Sequence, residues 1–186
     1  IVRPLEQEIN QKSLLEKPYF YNIPSIEPLK LQIINEIIRI IDQKIENQNI
    51  IFTGSFLESG FNFNDIDIII ISDKEAKVGF LKREIEIKTK IKIHIIQLDN
   101  KTLFSGLNKD PLYQMMLSKC ISKKRLIFKI KQEIDYKILD LHLLKSKLLI
   151  NNFDILNGNE KYSLVRNIVA ISLYIKKDRI SQEIID

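Results

Sequence analysis

Two carboxylates, Asp65 and Asp67, stand two residues apart at the start of an apolar run that extends to Ile71. Side chains at positions i and i+2 of a β-strand project from one face, so a strand here would hold both carboxylates together while Ile66 points the opposite way. Carboxylates this close repel one another unless a cation lies between them, and oxygen ligands suit Mg²⁺. The spacing therefore predicts a metal site formed by Asp65 and Asp67.

A Gly-Ser pair lies just upstream, at the end of another apolar run. Gly54 lets the backbone approach a ligand closely, and Ser55 can begin a helix whose free N–H groups face a phosphate. A strand, a Gly-Ser turn, a short helix and a second strand would place a phosphate-binding turn beside a metal site. Such an arrangement is typical of phosphoryl or nucleotidyl transfer.

The Gly-Ser pair at 54–55 and the sequence Asn-Asp-Ile-Asp-Ile at 64–68 together resemble the signature of the DNA polymerase β-like nucleotidyltransferase superfamily, most closely its minimal members. The signature covers residues 50–72, and the order and spacing of the elements fit the family to about residue 130. The resemblance implies that Gly54 and Ser55 hold the triphosphate of an NTP. It also implies that the two aspartates hold Mg²⁺ or Mn²⁺.

The chain departs from the family pattern at two places. Many members carry an Arg soon after Gly-Ser, where this chain has Phe-Leu-Glu-Ser at 56–59. The family's third carboxylate lies in an apolar-Asp-apolar pattern on a neighbouring strand, and the matching stretch at 91–96 has His94 in that place. A neutral imidazole can accept a proton from a hydroxyl but is a poor ligand for Mg²⁺. His94 is therefore predicted to be the third catalytic residue, on the face of Asp65 and Asp67. The alternative is a histidine that merely fills a strand position.

Apolar patterns around the motif predict the elements that position it. After an irregular lead-in over 1–24, a helix capped by Ser25 and ending near Asn47 is expected to lie on a small mixed sheet that has helices mainly on one face. The alternation at 84–89 also permits a further strand in that stretch. The other expected elements are strands at 49–53, 65–71 and 91–98, and short helices at 55–60 and 76–82.

Three consecutive cations, Lys123, Lys124 and Arg125, precede an apolar stretch at 126–128 that is expected to form a short strand. Such side chains bind phosphate, so the cluster is predicted to contact the triphosphate or the acceptor. A solvated basic turn is the alternative. A helix is expected from Pro111 to about Cys120, with Asp110 as its N-cap residue.

Beyond about residue 131 the pattern becomes wholly helical. Its first apolar stripe contains Ile138, Leu141, Leu144 and Leu148. Arg166 lies among apolar neighbours and could pair with a carboxylate or with a phosphate. The predicted fold class is α/β with a mixed sheet, as a nucleotidyltransferase-like core over 25–130 and a helical subdomain over 131–186. The chain begins with Ile rather than Met and ends in the pattern of a helix start, so a longer chain is expected.

Composition indicates an ordinary soluble chain of 186 residues, 45% hydrophobic and 28% charged, long enough for a real core. Its single cysteine, Cys120, rules out an internal disulfide and predicts a cytoplasmic setting, and no apolar run reaches the roughly 18 residues of a membrane span. Residues 100–186 hold 16 Lys and Arg against 9 Asp and Glu. This basic half predicts a polyanionic partner, such as nucleic acid, or a protein acceptor.

The sequence thus favours a metal-dependent nucleotidyltransferase that moves a nucleoside monophosphate from an NTP to an acceptor hydroxyl. In this hypothesis Asp65, Asp67 and His94 are catalytic, and Gly54, Ser55 and the cluster at 123–125 bind the nucleotide. The alternative is a module that keeps the fold but has impaired catalysis, with a regulatory, antitoxin-like or nucleic-acid-binding role.

Overall fold

The computed structural model describes residues 17–185, in which five strands form one mixed sheet. The strands are β1 (Tyr19–Tyr21), β2 (Asn49–Thr53), β3 (Asp65–Ile71), β4 (Lys92–Leu98) and β5 (Cys120–Ser122), in the spatial order β1-β5-β2-β3-β4. Strands β3 and β4 are parallel, and the other neighbours are antiparallel. The predicted fold class, a mixed α/β sheet, is confirmed.

Helices cover this sheet and continue beyond it. They are α1 (Pro28–Lys44), α2 (Val78–Thr89), α3 (Asn100–Lys109), α4 (Pro111–Ser118), α5 (Tyr136–Asn151), α6 (Gly158–Lys176) and α7 (Gln182–Ile185). Within residues 17–185, no helix is long and apolar enough to cross a membrane.

One face of the sheet packs on α1 and α2. Ile66, Ile68 and Ile70 project from β3 to this face because alternate side chains of a strand share a face. Their partners from the helices are fully or almost fully buried, and they include Ile34, Ile37 and Ile41 of α1 and Leu81 and Ile85 of α2. This face holds the larger of the apolar clusters of the sheet.

The opposite face packs on α3 and α4. Ile69 and Ile71 of β3 meet Leu103 and Leu107 of α3 there, in a second buried cluster. The expectation of helices mainly on one face was therefore wrong. The continuous apolar run of β3 does form a strand that is covered on both faces, as such a run predicts.

Tertiary constraints changed three local predictions. The alternating stretch at 84–89 belongs to α2, because parallel β3 and β4 need a crossover connection and a helix supplies it. The strand expected at 126–128 is absent among the described residues, and β5 instead precedes the basic cluster. Helix α1 follows Glu27 and ends at Lys44, so Ser25 is not its cap.

The lead-in expected to be irregular contributes a strand. Tyr19–Tyr21 pair with β5 as an edge strand of the sheet, because Tyr21 packs on the second cluster and its hydroxyl accepts a hydrogen bond from the Leu126 N–H at 2.6 Å. Residues 1–16 of that predicted segment lie outside the described residues. The predicted helix after Asp110 is confirmed, with the Asp110 carboxylate accepting a hydrogen bond from the Leu112 N–H.

The C-terminal helices pack on the core through α4. Ala170 and Tyr174 of α6 form a buried cluster with Leu139 of α5, and Met115 of α4 packs against it. The predicted stripe on α5 behaves differently: Leu141, Leu144 and Leu148 are about half exposed, while Leu139, His142 and Ser146 are buried. The helical nature of this segment was predicted correctly, but its buried face was not.

Candidate nucleotide and metal site

Three adjacent positions bring Gly54, Asp67 and His94 to one end of the sheet. Thr53, the last residue of β2, lies opposite Asp67 in the antiparallel pair, and Asp67 is level with His94 in the parallel pair. Gly54 directly follows Thr53 and begins the turn that leaves the sheet. The end of β2, the start of β3 and the neighbouring part of β4 therefore bring these three residues together.

Gly54 is required at its position by both its backbone and its neighbour. Its φ of 84° and ψ of −171° lie in a region that essentially only glycine adopts. A Cβ atom built on Gly54 would stand 2.3 Å from Oδ2 of Asp67, well inside contact distance. Because Gly54 has no side chain, one oxygen of the Asp67 carboxylate occupies the space beside the Gly-Ser turn.

His94 faces the Asp67 side of the sheet, as strand alternation predicts. Its Nδ1 lies 3.1 Å from Oδ1 of Asp67, and 60% of its side chain is exposed. Ile93 is buried on the opposite face, and Ile96 shares the face of His94. An ionised carboxylate can only accept a hydrogen bond, so Nδ1 is the donor to Asp67, and in the neutral ring Nε2 is then the acceptor.

A cavity of about 240 Å³ opens at this point. Gly54, Asp67 and His94 line it from the sheet, Met115 and Met116 line it from α4, and Arg166 reaches it from α6. The Thr53 hydroxyl donates a hydrogen bond to the Met116 carbonyl at 2.7 Å, which fastens α4 to the end of β2. The cavity is therefore bounded by both the sheet and the C-terminal helices.

Two predicted site residues lie at the edge of this group. Ser55 is exposed and begins a single 3₁₀ turn, Ser55–Leu57, where a helix over 55–60 was predicted. Asp65 lies two residues before Asp67 on the same strand, partly buried and level with Lys92 of β4. By alternation it shares the face of Asp67, but it does not line the cavity.

The predicted basic cluster lies elsewhere. The Lys123 N–H donates a hydrogen bond to the Ile50 carbonyl and the Asn49 side chain donates one to the Lys124 carbonyl, which sets the cluster at the start of β2. Strand geometry puts that point roughly 13 Å from the Thr53 end, along four residues. Lys123 is also paired with Asp42 at 2.6 Å. The structure therefore does not bring the cluster to Gly54 and Asp67.

A buried lysine, Lys30, binds the segment that directly follows the Gly-Ser turn. The Lys30 side chain of α1 is wholly buried, and its Nζ donates a hydrogen bond to the Glu58 carbonyl at 2.5 Å and lies 3.0 Å from the Glu27 carboxylate. The Gly60 N–H, more than Lys30, lowers the pKa of the Glu27 carboxyl from its ordinary value. Three phenylalanine rings stand within 5.6 Å of Nζ, namely Phe56, Phe61 and Phe63.

The donor chemistry of the site suits a cation that arrives with phosphate. Mg²⁺ usually takes one or two protein carboxylates and fills its remaining positions with water and phosphate oxygens. Asp65 and Asp67 supply two carboxylates on one strand face, and the Asp67 carboxylate has a hydrogen-bond partner in His94. Across residues 17–185, no group of three or more His, Cys, Asp or Glu is placed to hold a metal.

A larger cavity of about 680 Å³ lies away from these residues. It is lined by Leu126 and Phe128 after β5, by Gln114 of α4 and by the segment 177–181 after α6. None of the predicted catalytic residues borders it, so its size alone does not make it the centre of the predicted chemistry.

Sequence patterns left a carboxylate or a phosphate as the partner of Arg166 and could not place it at this cavity, since an arginine among apolar neighbours has no local signal for its partner. Comparisons of the chain with protein-family models, with curated proteins and with solved structures found no match.

Proposed function

We propose that the chain is a metal-dependent nucleotidyltransferase that transfers a nucleoside monophosphate from an NTP to an acceptor hydroxyl. One observation carries this proposal: Gly54, Asp67 and His94 meet at one cavity through the pairing of β2, β3 and β4. The resemblance of the Gly-Ser and Asp-x-Asp motifs to the superfamily signature implies that these residues lie together. The two motifs alone, without the resemblance, do not require it.

Each residue has a distinct task in this proposal. Asp65 and Asp67 would hold Mg²⁺ or Mn²⁺, which when bound offsets negative charge on the phosphates and favours ionisation of the acceptor hydroxyl. The turn at Gly54 and Ser55 would place backbone N–H groups against the triphosphate. Asp67 also orients His94, since it accepts the hydrogen bond from Nδ1.

His94 would act as the general base. The acceptor hydroxyl oxygen attacks the α-phosphorus, its proton moves to Nε2 of His94, and the bond from the α-phosphorus to the oxygen bridging to the β-phosphate breaks. Pyrophosphate leaves with the bonding electron pair. The Ile96 and Met116 side chains line the cavity and would reduce competition from water at the phosphorus.

The test is incorporation of labelled NTP with Mg²⁺ or Mn²⁺. Asp67→Ala should lower the rate by orders of magnitude, because it removes a metal ligand and the partner of His94 together. Asp73→Ala is the matched control, since Asp73 lies past the end of β3 and is exposed. Unchanged activity in Asp67→Ala refutes the assignment.

His94→Asp tests the third position of the site. If His94 occupies the place of the family's third carboxylate, Asp at this position should tighten Mg²⁺ binding and raise transfer, because a carboxylate is the better ligand for this ion. His94→Ala is the companion variant and should lower transfer by roughly 10²- to 10⁴-fold, the usual contribution of a general base. Transfer that is the same in all three proteins would remove His94 from the mechanism.

A second candidate function is a binding or regulatory module with impaired catalysis. The observation that favours it is that an imidazole lies beside Asp67, where the resemblance implies a third carboxylate. Calorimetry separates the two functions: tight binding of NTP with Mg²⁺ but no turnover with any acceptor supports the module. No NTP binding at all counts against both.

For the acceptor, we propose nucleic acid. Lys17, Lys124 and Arg125 surround a depression beside the half-exposed Tyr19. Cations bind the phosphate backbone and an aromatic ring can stack on a base. Replacing the three cations with Ala should weaken binding of a single-stranded oligonucleotide and reduce the slope of log affinity against log salt by about 2. An unchanged slope would exclude this surface and leave a protein acceptor as the alternative.

A further inference from the structure

We propose that Arg166 binds the phosphates of the nucleotide, so that the C-terminal helices complete the candidate site. The proposal rests on the nucleotidyltransferase function proposed above and adds a residue to it. Arg166 lies in α6 and lines the same cavity as Gly54 and Asp67, 99 positions after Asp67 in the sequence. It brings a permanent positive charge to a cavity whose other charged lining residue is a carboxylate, apart from titratable His94.

The packing of α6 fixes where Arg166 stands. Arg166 precedes Ala170 by four residues, and positions i and i+4 of a helix lie on one face. Ala170 is fully buried in the cluster that α6 forms with neighbouring helices. Met115 of α4 packs against that cluster and also lines the cavity. The contact between α6 and α4 therefore places Arg166 in the wall of the cavity.

An aromatic ring supports the guanidinium group. The Cζ of Arg166 lies 5.3 Å from the centre of the Tyr162 ring, one helical turn earlier. Stacking of this kind favours the cation and limits the number of rotamers that the long side chain samples. A held guanidinium can offer two parallel N–H donors to the oxygens of one phosphate, a geometry that lysine does not provide.

The Gly-Ser turn itself supplies no cation. Phe56 and Leu57 directly follow Ser55. Both side chains are buried in the core, with Phe56 fully inaccessible. The turn therefore presents backbone but no cation to a phosphate, and among the residues that line the cavity Arg166 supplies one.

The test measures binding of two ligands separately on the full chain by calorimetry: tripolyphosphate, and Mn²⁺ alone. Arg166→Met should weaken tripolyphosphate binding by roughly 10- to 100-fold, the usual effect of removing a hydrogen bond to a charged group. Mn²⁺ binding should be no weaker. Arg166→Lys keeps the positive charge without the two parallel N–H donors and should lose less of the tripolyphosphate affinity. Arg179→Met, in an arginine that is exposed and outside this cavity, should match the wild type.

Three results would overturn the assignment. Equal tripolyphosphate affinity in Arg166→Met and the wild type removes Arg166 from the site. A parallel loss of Mn²⁺ and tripolyphosphate binding, seen also in Arg166→Lys, indicates a role in packing only. No tripolyphosphate binding by the wild type excludes a phosphate site. If tripolyphosphate binding depends on Arg166 but no labelled product forms, the transfer function fails and the Arg166 assignment stands.

Discussion

Substitution of Gly54 by Ala offers a direct test of how the Gly-Ser turn and Asp67 depend on one another. The backbone of Gly54, at φ 84° and ψ −171°, costs a non-glycine residue about 1–3 kcal/mol. The added methyl group would also overlap Oδ2 of Asp67, so the carboxylate has to move and its contact with His94 is disturbed. Because 60% of the His94 side chain is exposed, loss of that contact adds at most about 1 kcal/mol, and Gly54→Ala should lower the free energy of unfolding by roughly 1–4 kcal/mol.

Two other glycines separate the backbone cost from the steric contact. Gly60 also has a positive φ, of 80°, but a Cβ there meets nothing within 4 Å, so Gly60→Ala should cost only about 1–2 kcal/mol. Gly79 lies in α2 with open space around it, and Gly79→Ala should stabilise the helix by up to about 1 kcal/mol.

A double-mutant cycle isolates the contact itself. In an Asp67→Ala background the nearest atom of residue 67 would be its Cβ, 3.6 Å away, an ordinary contact distance. The cost of Gly54→Ala should then fall to the backbone part, which gives a coupling energy of up to about 1 kcal/mol. Urea unfolding followed by circular dichroism measures each corner of the cycle. Equal costs of Gly54→Ala in both backgrounds would refute the proposed contact between Gly54 and Asp67.

Three further predictions concern the scaffold. Lys30→Met should lower the free energy of unfolding in urea by roughly 1–3 kcal/mol, since it leaves the Glu58 carbonyl without its donor; full stability would contradict the role of Lys30. Asn157→Ala should cost about 1 kcal/mol in the same assay, because it opens the capping box with Glu160 at the start of α6. Burial raises the pKa of the Cys120 thiol to about 12, so an alkylating reagent should label it only after unfolding. Rapid labelling of Cys120 in the folded chain would contradict this burial. Since the unfolded thiol ionises near pH 8.5, the free energy of unfolding should also decline as the pH rises above that value.

Local patterns were sufficient to predict which of the strand-borne side chains share a face. Alternation along β3 and β4 places Asp65, Asp67 and His94 on one face, and the pairing of the two strands then puts His94 beside Asp67. These predictions succeeded because the two-residue period of a strand follows from backbone geometry and needs no knowledge of the rest of the chain. The position of Gly54 followed for the same reason, since a glycine between two buried strands marks a turn.

The remaining features depended on how the elements pack. The basic cluster at 123–125 was expected beside the nucleotide, but β5 pairs with β2 in a register that sets the cluster at the opposite end of the sheet. The stripe of Leu141, Leu144 and Leu148 was apolar enough to be buried, yet α5 turns a different face to α6. An apolar stripe shows that a helix has an apolar side, but it does not show which neighbouring element packs against that side or whether another face is buried instead.

Arg166 shows the limit most clearly. Nothing in the residues around it distinguishes a cation in a cavity from a cation in solvent, and the other residues that line the cavity belong to β2, β3, β4 and α4 or directly follow β2. The sequence determined the chemistry that the sheet can carry, because short-range periodicity fixes which side chains share a face. Only the tertiary structure decided which distant side chain joins them, because that contact depends on the sum of many packing interactions spread over the whole fold.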